Sequence, residues 1–473
     1  MVLGVILTFL VLSIWAVTGF VEPISIKGRH FYGSQTNQPF FIKGVDYQPG
    51  GSSGVSGGTD PLSDPESCAR DIALFQDLGI NTIRVYSINP NLNHDKCMTL
   101  LAIAGIYLVL DVNSPLKNQH LNRYEPWSTY NELYAEHVFK VVQEFAAFNN
   151  TLAFFAGNEI VNDRISAKAS PIFIKALVRD MKAYMANHIE RIVPVGYSAA
   201  DDLLFRTSLP DYLQCDEGSG EDTSIDFYGV NSYQWCGKQT MQSSGYDILV
   251  KDYENFPKPV FLSEYGCNTI RPRGFQEVET IYSSDMTHIF SGGLVYEFHQ
   301  EANEYGLIKY DSYGNVRLLP DFHSLRKSFS NLQISYDKGV IEKEINGKKG
   351  FLSKEVMTKA TACDSEYENI VTDSKLPDNP EIRSMIETGV VSDKGKFVLL
   401  TKKDLSSKFK VFDVNNIPYG QATTIKIADS SNQNREEITT ISSDSSEKKK
   451  KKKSKNVIMK FFFKNDGSEP HST

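Results

Sequence analysis

One alternation constrains this chain more than any other property. Between about residues 40 and 299, a short apolar run is followed by a polar loop and a helical stretch, and the unit recurs eight times. The runs are residues 40–48, 81–87, 106–112, 152–159, 192–199, 226–233, 259–266 and 292–299. Near-continuous apolar stretches such as Ile106-Tyr-Leu-Val-Leu-Asp111 suit parallel strands covered on both faces, where no side of the strand meets water. The intervening segments carry the helical period. Tyr134, Val138, Val141, Phe145 and Phe148 step by four and three residues and so form one apolar stripe. Asp64-Pro65-Glu66 opens another helix with a capping carboxylate, a proline in the first turn and an acid at the positive end of the dipole, and Gly79 closes it. Strands that alternate with helices in this way predict an α/β fold of the (β/α)8 TIM-barrel type. An open, doubly wound sheet competes, but no G-x-G-x-x-G or phosphate loop follows the first run, so the barrel is preferred.

The ends of the chain differ from this middle. Residues 2–21 are apolar and uncharged; they predict a signal peptide over residues 1–20, cut between Thr18 and Phe20, with an uncleaved signal anchor as the alternative. The barrel is assigned to residues 21–328. Over residues 329–428 the pattern changes to short runs at 350–352, 396–400, 409–414 and 423–427, broken by Gly, Asn, Asp and Pro, which predict a small β-rich module. Residues 429–473 are rich in Ser, Asn, Glu and Lys and predict a disordered tail. Formal net charge is −8, and without the seven lysines at 448–453 and 455 it is about −15. A body this acidic excludes nucleic acid as a partner, because phosphate binding needs a basic face. Six cysteines, an even number without C-x-x-C spacing, fit disulfides in an exported protein; 15 pairings remain open on spacing alone. Asn149 heads the one N-x-T acceptor sequon, a glycosylation site in a secretory protein. No histidine spacing suits a metal, and no cofactor is predicted.

Active sites of such barrels are built where the strands end. At or near those ends stand Gln48, Tyr86, Asp111, Asn158, Glu159, Tyr233, Glu264 and Tyr296. A carboxylate that closes a buried apolar run is costly unless it has partners or a task. Glu159 and Glu264 close the fourth and seventh runs, so a barrel brings them to face one another across its mouth. Two carboxyls in that position suit glycoside cleavage with retention, one protonating the leaving oxygen and the other attacking the anomeric carbon. A lone glutamate after an apolar run is more often structural; the pair, ringed by tyrosines and amides, favours catalysis. Tyrosine faces pack on the C–H faces of sugar rings while their hydroxyls bond sugar oxygens.

Two motifs, Gly157-Asn158-Glu159-Ile160 and Ser263-Glu264-Tyr265-Gly266-Cys267, resemble those of the fungal β-1,3-glucanosyltransferases of glycoside hydrolase family 72. Lys43-Gly-Val-Asp-Tyr-Gln-Pro-Gly-Gly51, Arg84-Val-Tyr-Ser87, Leu110-Asp-Val-Asn113, Tyr228-Gly-Val-Asn-Ser-Tyr233 and the stretch from Tyr296 to Gly306 are similar to that family as well. The resemblance spans residues 24–428. It implies Glu159 as acid/base, Glu264 as nucleophile, Asn158 on the sugar 2-hydroxyl, and Gln48, Tyr86, Asp111, Tyr233, Tyr296 and Tyr305 lining the donor and acceptor subsites. It implies disulfides Cys68–Cys97, Cys215–Cys363 and Cys236–Cys267, with β-1,3-glucan as both donor and acceptor. Three departures stand out. No cysteine follows Cys363, which places the chain with the shorter subgroup that lacks a Cys-rich carbohydrate-binding module. The tail from Lys448 to Thr473 offers no apolar stretch of the kind a GPI signal needs, so membrane attachment is not supported and a secreted protein of the cell surface or wall is expected. His299 stands where relatives carry a small residue.

The expected activity is a glucanosyltransferase that cleaves internal β-1,3 linkages and passes the new reducing end to a second glucan chain, elongating wall glucan. Two rivals share much of this pattern: a retaining endo-β-1,3-glucanase, and a catalytically silent glucan-binding wall protein. The lysine run is further open to reading as a basic tether for anionic wall or membrane lipid, against a plain solvated tail.

Overall fold

The computed structural model describes residues 21–51, 55, 58–346 and 360–428. The segments assigned to a leader and to a Ser/Lys-rich tail lie outside the described residues. Three antiparallel strands come first, β1 (Ile24–Lys27), β2 (His30–Gly33) and β3 (Pro39–Phe40). Eight parallel strands then close into a barrel: β4 (Ile42–Asp46), β5 (Thr82–Val85), β6 (Tyr107–Asp111), β7 (Thr151–Asn158), β8 (Val195–Ala200), β9 (Phe227–Asn231), β10 (Val260–Tyr265) and β11 (Phe290–Val295). Each pairs with the strands before and after it in sequence, and β11 closes the ring on β4. All eight expected strands are present. Phe40 belongs to the entry sheet rather than to the first barrel strand.

Local chemistry explains the helices. The helix Pro65–Leu78 starts at Asp64, whose side chain accepts from the Glu66 amide, and ends at Gly79 in the left-handed region at φ 74°. That backbone costs a Cβ-bearing residue more than it costs glycine. Asn131 caps Glu132–Phe145 in the same way, and the whole stripe from Tyr134 to Phe148 is buried. Where β11 meets β4 the strands approach so closely that a Cβ on Gly292 would sit 2.1 Å from the Ile42 carbonyl oxygen, which no larger residue tolerates.

The barrel interior is apolar and aromatic: Tyr107, Val109, Phe155, Phe227, Phe261 and Leu294 pack with Phe31 and Phe40 from the entry sheet. Phe31 meets Phe227 and Phe261 edge-on, at 5.9 and 6.2 Å between ring centroids. The small sheet therefore plugs the N-terminal mouth and leaves the opposite mouth for the polar strand ends.

Beyond β11, strands β12 (Ile308–Tyr310) and β13 (Val316–Leu318) form a hairpin, joined by β14 (Val411–Phe412) from the C-terminal segment. Of the four runs expected after residue 328, 409–414 supplies β14, 423–427 makes one bridge from Thr424 to Ser406, and 396–400 lies against the barrel helices, with Phe397 edge-on to Phe148. Run 350–352 falls outside the described residues. The remaining backbone of this segment is irregular apart from the helices Lys338–Asn346 and Pro380–Thr388 and one 3-10 turn. Ile382 and Ile386 are buried, and the Ile386 carbonyl accepts from Asn187 and contacts the His188 ring nitrogen at 2.8 and 2.9 Å. Cys215–Cys363 ties the segment to the barrel, and Cys68–Cys97 and Cys236–Cys267 complete the disulfides. All described residues belong to one compact unit. No helix among them is long and apolar enough to cross a membrane.

Candidate active site

Glu264 lies near the end of β10 and is 8% exposed. Its Oε1 accepts from the Tyr86 hydroxyl at 2.8 Å and its Oε2 from the Tyr233 hydroxyl at 2.7 Å. Arg84 Nη1 stands 3.4 Å from Oε1. Burial lifts the Glu264 carboxyl above its ordinary range; Arg84 pulls it back, Glu159 lifts it further, and the two phenol bonds lower it. Both phenols are themselves pushed well above the ordinary tyrosine range, chiefly by burial. They therefore remain donors and favour the ionised carboxylate.

Glu159 follows β7 immediately and adopts φ 47°, a left-handed backbone that costs a residue with a Cβ on the order of 1 kcal/mol. Its amide donates to the Ser198 carbonyl at 2.8 Å, which fixes the turn. Asn231, at the end of β9, holds the side chain. Its Nδ2 donates to Glu159 Oε1 at 2.9 Å and to Asn158 Oδ1 at 3.1 Å. Its Oδ1 accepts from the Ser198 and Ser263 hydroxyls at 3.1 and 2.7 Å. The bond from Asn231 Nδ2 is the only hydrogen bond to the Glu159 side chain among the described residues, so one carboxyl oxygen is left for a ligand. Strands β8 and β9 lie between β7 and β10 in barrel order, and Asn231 pairs with Glu264 in the register of β9 and β10. One asparagine thus links the neighbourhoods of both glutamates.

The floor beneath them is charged. Arg84 is fully buried and grips both oxygens of Asp111 at 2.9 and 2.8 Å, while its guanidinium lies 4.2 Å from the Tyr86 ring centroid and 4.7 Å from that of Phe155. Asp46, at the end of β4, is 0% exposed and neither of its carboxyl oxygens has a hydrogen-bond partner. Burial therefore pushes its carboxyl well above the ordinary range. Glu297 is raised to about 7, again mainly by burial.

The expected residues fall into groups. Tyr86, Tyr233, Tyr296 and Tyr305 form one aromatic wall: Tyr296 stands 6.4 Å from Tyr86, 6.3 Å from Tyr233 and 5.3 Å from Tyr305. Asp111 and Asn158 line a cleft of about 610 Å³ that runs from Tyr86 outward along the loop after β6. Gln48 is buried and its amide serves the backbone, accepting from the Tyr86 and Ser87 amides at 3.0 and 3.1 Å; it shapes the turn that carries Tyr86. Asn149 lies in the turn before β7, at the opposite end of that strand from Glu159. His299 stacks on Tyr310 at 4.3 Å and bonds Glu301.

Reading the sequence left Arg84, Asp46, Asn231 and Glu297 without roles. A signal existed for the first: an arginine inside a four-residue barrel strand must find a buried partner. Among the described residues, no group of three or more His, Cys, Asp or Glu side chains is placed to hold a metal ion.

Comparison with known proteins places this geometry. The model of the Glucanosyltransferase family, glycoside hydrolase family 72, matches residues 14–333. The chain is 53% identical over 410 residues to the 1,3-beta-glucanosyltransferase GAS4 of Saccharomyces cerevisiae, covering 87% of this chain and 84% of that protein. It is 44% identical over 396 residues to the 1,3-beta-glucanosyltransferase gel2 of Aspergillus fumigatus, covering 84% and 81%. The structure resembles that of Saccharomyces cerevisiae Gas2p in complex with laminaripentaose, with TM-score 0.66, 38% identity, and coverage of 76% of this chain and 78% of that one.

Proposed function

Because this chain belongs to the glucanosyltransferase family, glycoside hydrolase family 72, we propose that it is a retaining β-1,3-glucanosyltransferase in which Glu264 is the nucleophile and Glu159 the acid/base. The observation that carries the reading is the contrast between the two carboxyls. Both oxygens of Glu264 accept hydrogen bonds from phenols, whereas Glu159 accepts one, from Asn231.

A carboxylate oxygen of Glu264 attacks the anomeric carbon of a β-1,3-linked glucose. The bond to the glycosidic oxygen breaks, and protonated Glu159 gives its proton to that oxygen. Whichever oxygen attacks, the other keeps a phenol donor that stabilises the ester carbonyl of the glycosyl-enzyme. In the second step the 3-hydroxyl of another glucan chain gives its proton to Glu159 and attacks the same carbon. The ester bond breaks and Glu264 returns as an anion. Transfer outruns hydrolysis when a bound acceptor presents its hydroxyl at an effective concentration above that of water, and well-oriented groups reach on the order of 10⁵ M or more. The tyrosine wall supplies apolar faces for such an acceptor.

The donor and acceptor are β-1,3-glucan chains, in keeping with the laminari-oligosaccharide bound by the Gas2p structure. Three disulfides fit an oxidising compartment, so the protein acts outside the cell, at the surface or in the wall, with any glycan on Asn149 placed away from the catalytic mouth. Incubation with reduced laminari-oligosaccharides tests the reading. Products longer than the donor are expected; exclusively shorter ones would make the protein a glucanase. Glu264→Gln should abolish turnover while oligosaccharide binding persists, and a variant with full activity would overturn the assignment.

A further inference from the structure

Two of the four tyrosines in the wall are held by their hydroxyls and two by their backbone. Tyr86 and Tyr233 donate to Glu264. Tyr296 and Tyr305 lie on the irregular chain that follows β11, and among the described residues neither bonds Glu159 or Glu264. A carbonyl outside a helix or sheet still needs a donor where water is excluded, and one side chain supplies it to both. Arg273, on the loop after β10, is 2% exposed. Its Nη1 donates to the Tyr296 carbonyl at 2.6 Å and to the Gly266 carbonyl at 3.2 Å, and its Nη2 donates to the Tyr305 carbonyl. Gly266 closely follows Glu264 in sequence, so the exit of the strand that carries this glutamate shares a donor with both tyrosines. Arg273 is itself fixed. Its Nε donates to Asp321 Oδ2 at 2.6 Å and its amide to Oδ1 at 3.1 Å, from the first turn of the helix Pro320–Ser330, and the Phe275 ring centroid lies 4.7 Å from the guanidinium.

We propose that Arg273 is a positioning residue for transfer: by fixing Tyr296 and Tyr305 against the exit of β10, it sets how much of the glycosyl-enzyme reaches a glucan hydroxyl rather than water. The inference rests on the proposed transferase chemistry. A planar guanidinium presents its N–H donors in a fixed fork, so the carbonyls it joins keep one mutual geometry. Water attacks the ester without needing a wall. A sugar hydroxyl must be oriented, and a displacement of about 1 Å can cost on the order of a hundredfold. Loosening the two rings therefore slows transfer far more than hydrolysis. The ion pair Arg271–Glu304 ties the same two loops at the exposed rim, where water competes for both charges and little holding force remains. The buried tie is the one at Arg273.

The test is the ratio of transfer to hydrolysis products from laminarihexaose, with total donor consumption and thermal unfolding measured alongside. Arg273→Lys keeps a charge opposite Asp321 but replaces the fork with one ammonium, which cannot serve three carbonyls. The ratio should fall by about tenfold, while total consumption falls much less. Asp321→Asn is the control. It takes one charge from the same buried pair and lowers the unfolding temperature, yet leaves the three carbonyl bonds, so its ratio should stay near that of the wild type. An unchanged ratio in Arg273→Lys, or an equal fall in both variants, overturns the positioning role. Should Arg273→Lys fail to fold, Arg273→Gln/Asp321→Asn, neutral at both ends, takes the same test: the same fall supports the role and an unchanged ratio refutes it. Should the wild type give no longer products, the transferase reading fails instead. Calorimetry of laminaripentaose on Glu264→Gln, with and without Arg273→Lys, then decides whether Arg273 positions the wall: a Kd weaker by about tenfold supports it, and an equal Kd refutes it.

Discussion

Tyr233→Phe removes one oxygen and little else. The hydroxyl that donates to Glu264 Oε2 at 2.7 Å disappears, while the ring still meets Tyr305 and Tyr296 at 5.5 and 6.3 Å. A donor to a carboxylate stabilises its ionised form, so its loss must raise the proton affinity of Glu264, which burial already pushes upward. A hydrogen bond to a charged group contributes roughly 1.5–3 kcal/mol, and each pH unit corresponds to about 1.4 kcal/mol. The acid limb of kcat/KM, which reports the free enzyme, should therefore move to higher pH by about one to two units. Below the new limb the rate falls more than tenfold; above it the deficit narrows. The assay is the pH profile of transfer on laminarihexaose, with thermal unfolding followed in the same buffers. Tyr86→Phe removes the donor to the other oxygen and should move the limb in the same direction. An equal loss of rate at every pH, with the limb unmoved, would refute the role given to these phenols and leave them as sugar contacts only.

Asn231→Ala frees the Glu159 side chain from its one hydrogen bond and should lower kcat by roughly ten- to a hundredfold, measured on oligosaccharides at saturation. Asp111→Asn leaves the buried Arg84 guanidinium short of its bidentate partner; breaking such a pair costs about 3 kcal/mol or more, visible as a lower denaturant midpoint. Stability should peak at mildly acidic pH. Burial raises Glu277 from its ordinary 4.5 to about 7, so the folded state binds the extra proton and up to roughly 3 kcal/mol is lost as pH climbs through that window. Burial lowers His137 from 6.5 to about 4, so stability falls on the other side as pH drops from 6.5 toward 4. A chemical denaturation series that rises steadily through pH 4.5 to 7 would contradict the Glu277 assignment, and one that falls steadily from pH 4 to 6.5 would contradict that of His137.

The barrel was legible in the sequence because period decides it. Eight apolar runs alternating with 3.6-period stripes leave few architectures, and local caps at Asp64 and Gly79 are written in residue type. The glutamate pair was legible for the same reason: polar residues that end apolar strands meet at one mouth. Short segments were harder. The entry sheet has strands of four, four and two residues, too brief to show a period, and only its packing into the barrel mouth makes it stable. The runs after residue 328 look strand-like in composition, yet Phe397 and Ile425 gain their burial from the outer layer of the barrel. Asn231 could not have been found from composition, because its importance lies in four hydrogen bonds to three other strands and the turn after one of them.

The charge balance beneath Glu264 bears on why a covalent intermediate would last long enough to meet an acceptor. Arg84, Asp111, Glu264 and Glu297 all act electrostatically on Asp46, and Arg84 is the cation among them. Four carboxylates sharing this region with one cation would be strongly self-repelling if all were ionised, since charges interact severalfold more strongly there than in water. Neither carboxyl oxygen of Asp46 has a hydrogen-bond partner, and burial pushes it well above the ordinary range and Glu297 to about 7, which favours the neutral form of both. Arg84 then faces Asp111, which it binds bidentately, and Glu264, which it touches at 3.4 Å. That leaves one uncompensated negative charge, carried by Glu264, the proposed nucleophile. Forming the glycosyl ester removes this charge and leaves a matched Arg84–Asp111 pair under a neutral carbonyl. A poorly solvated floor favours that neutral state, which slows its opening by water and by an acceptor alike, so a preference for transfer must come from how the acceptor is held. Ionising Asp46 or Glu297 would instead set a like charge near Glu264 and raise its proton affinity, so less of the attacking anion proposed here would be present.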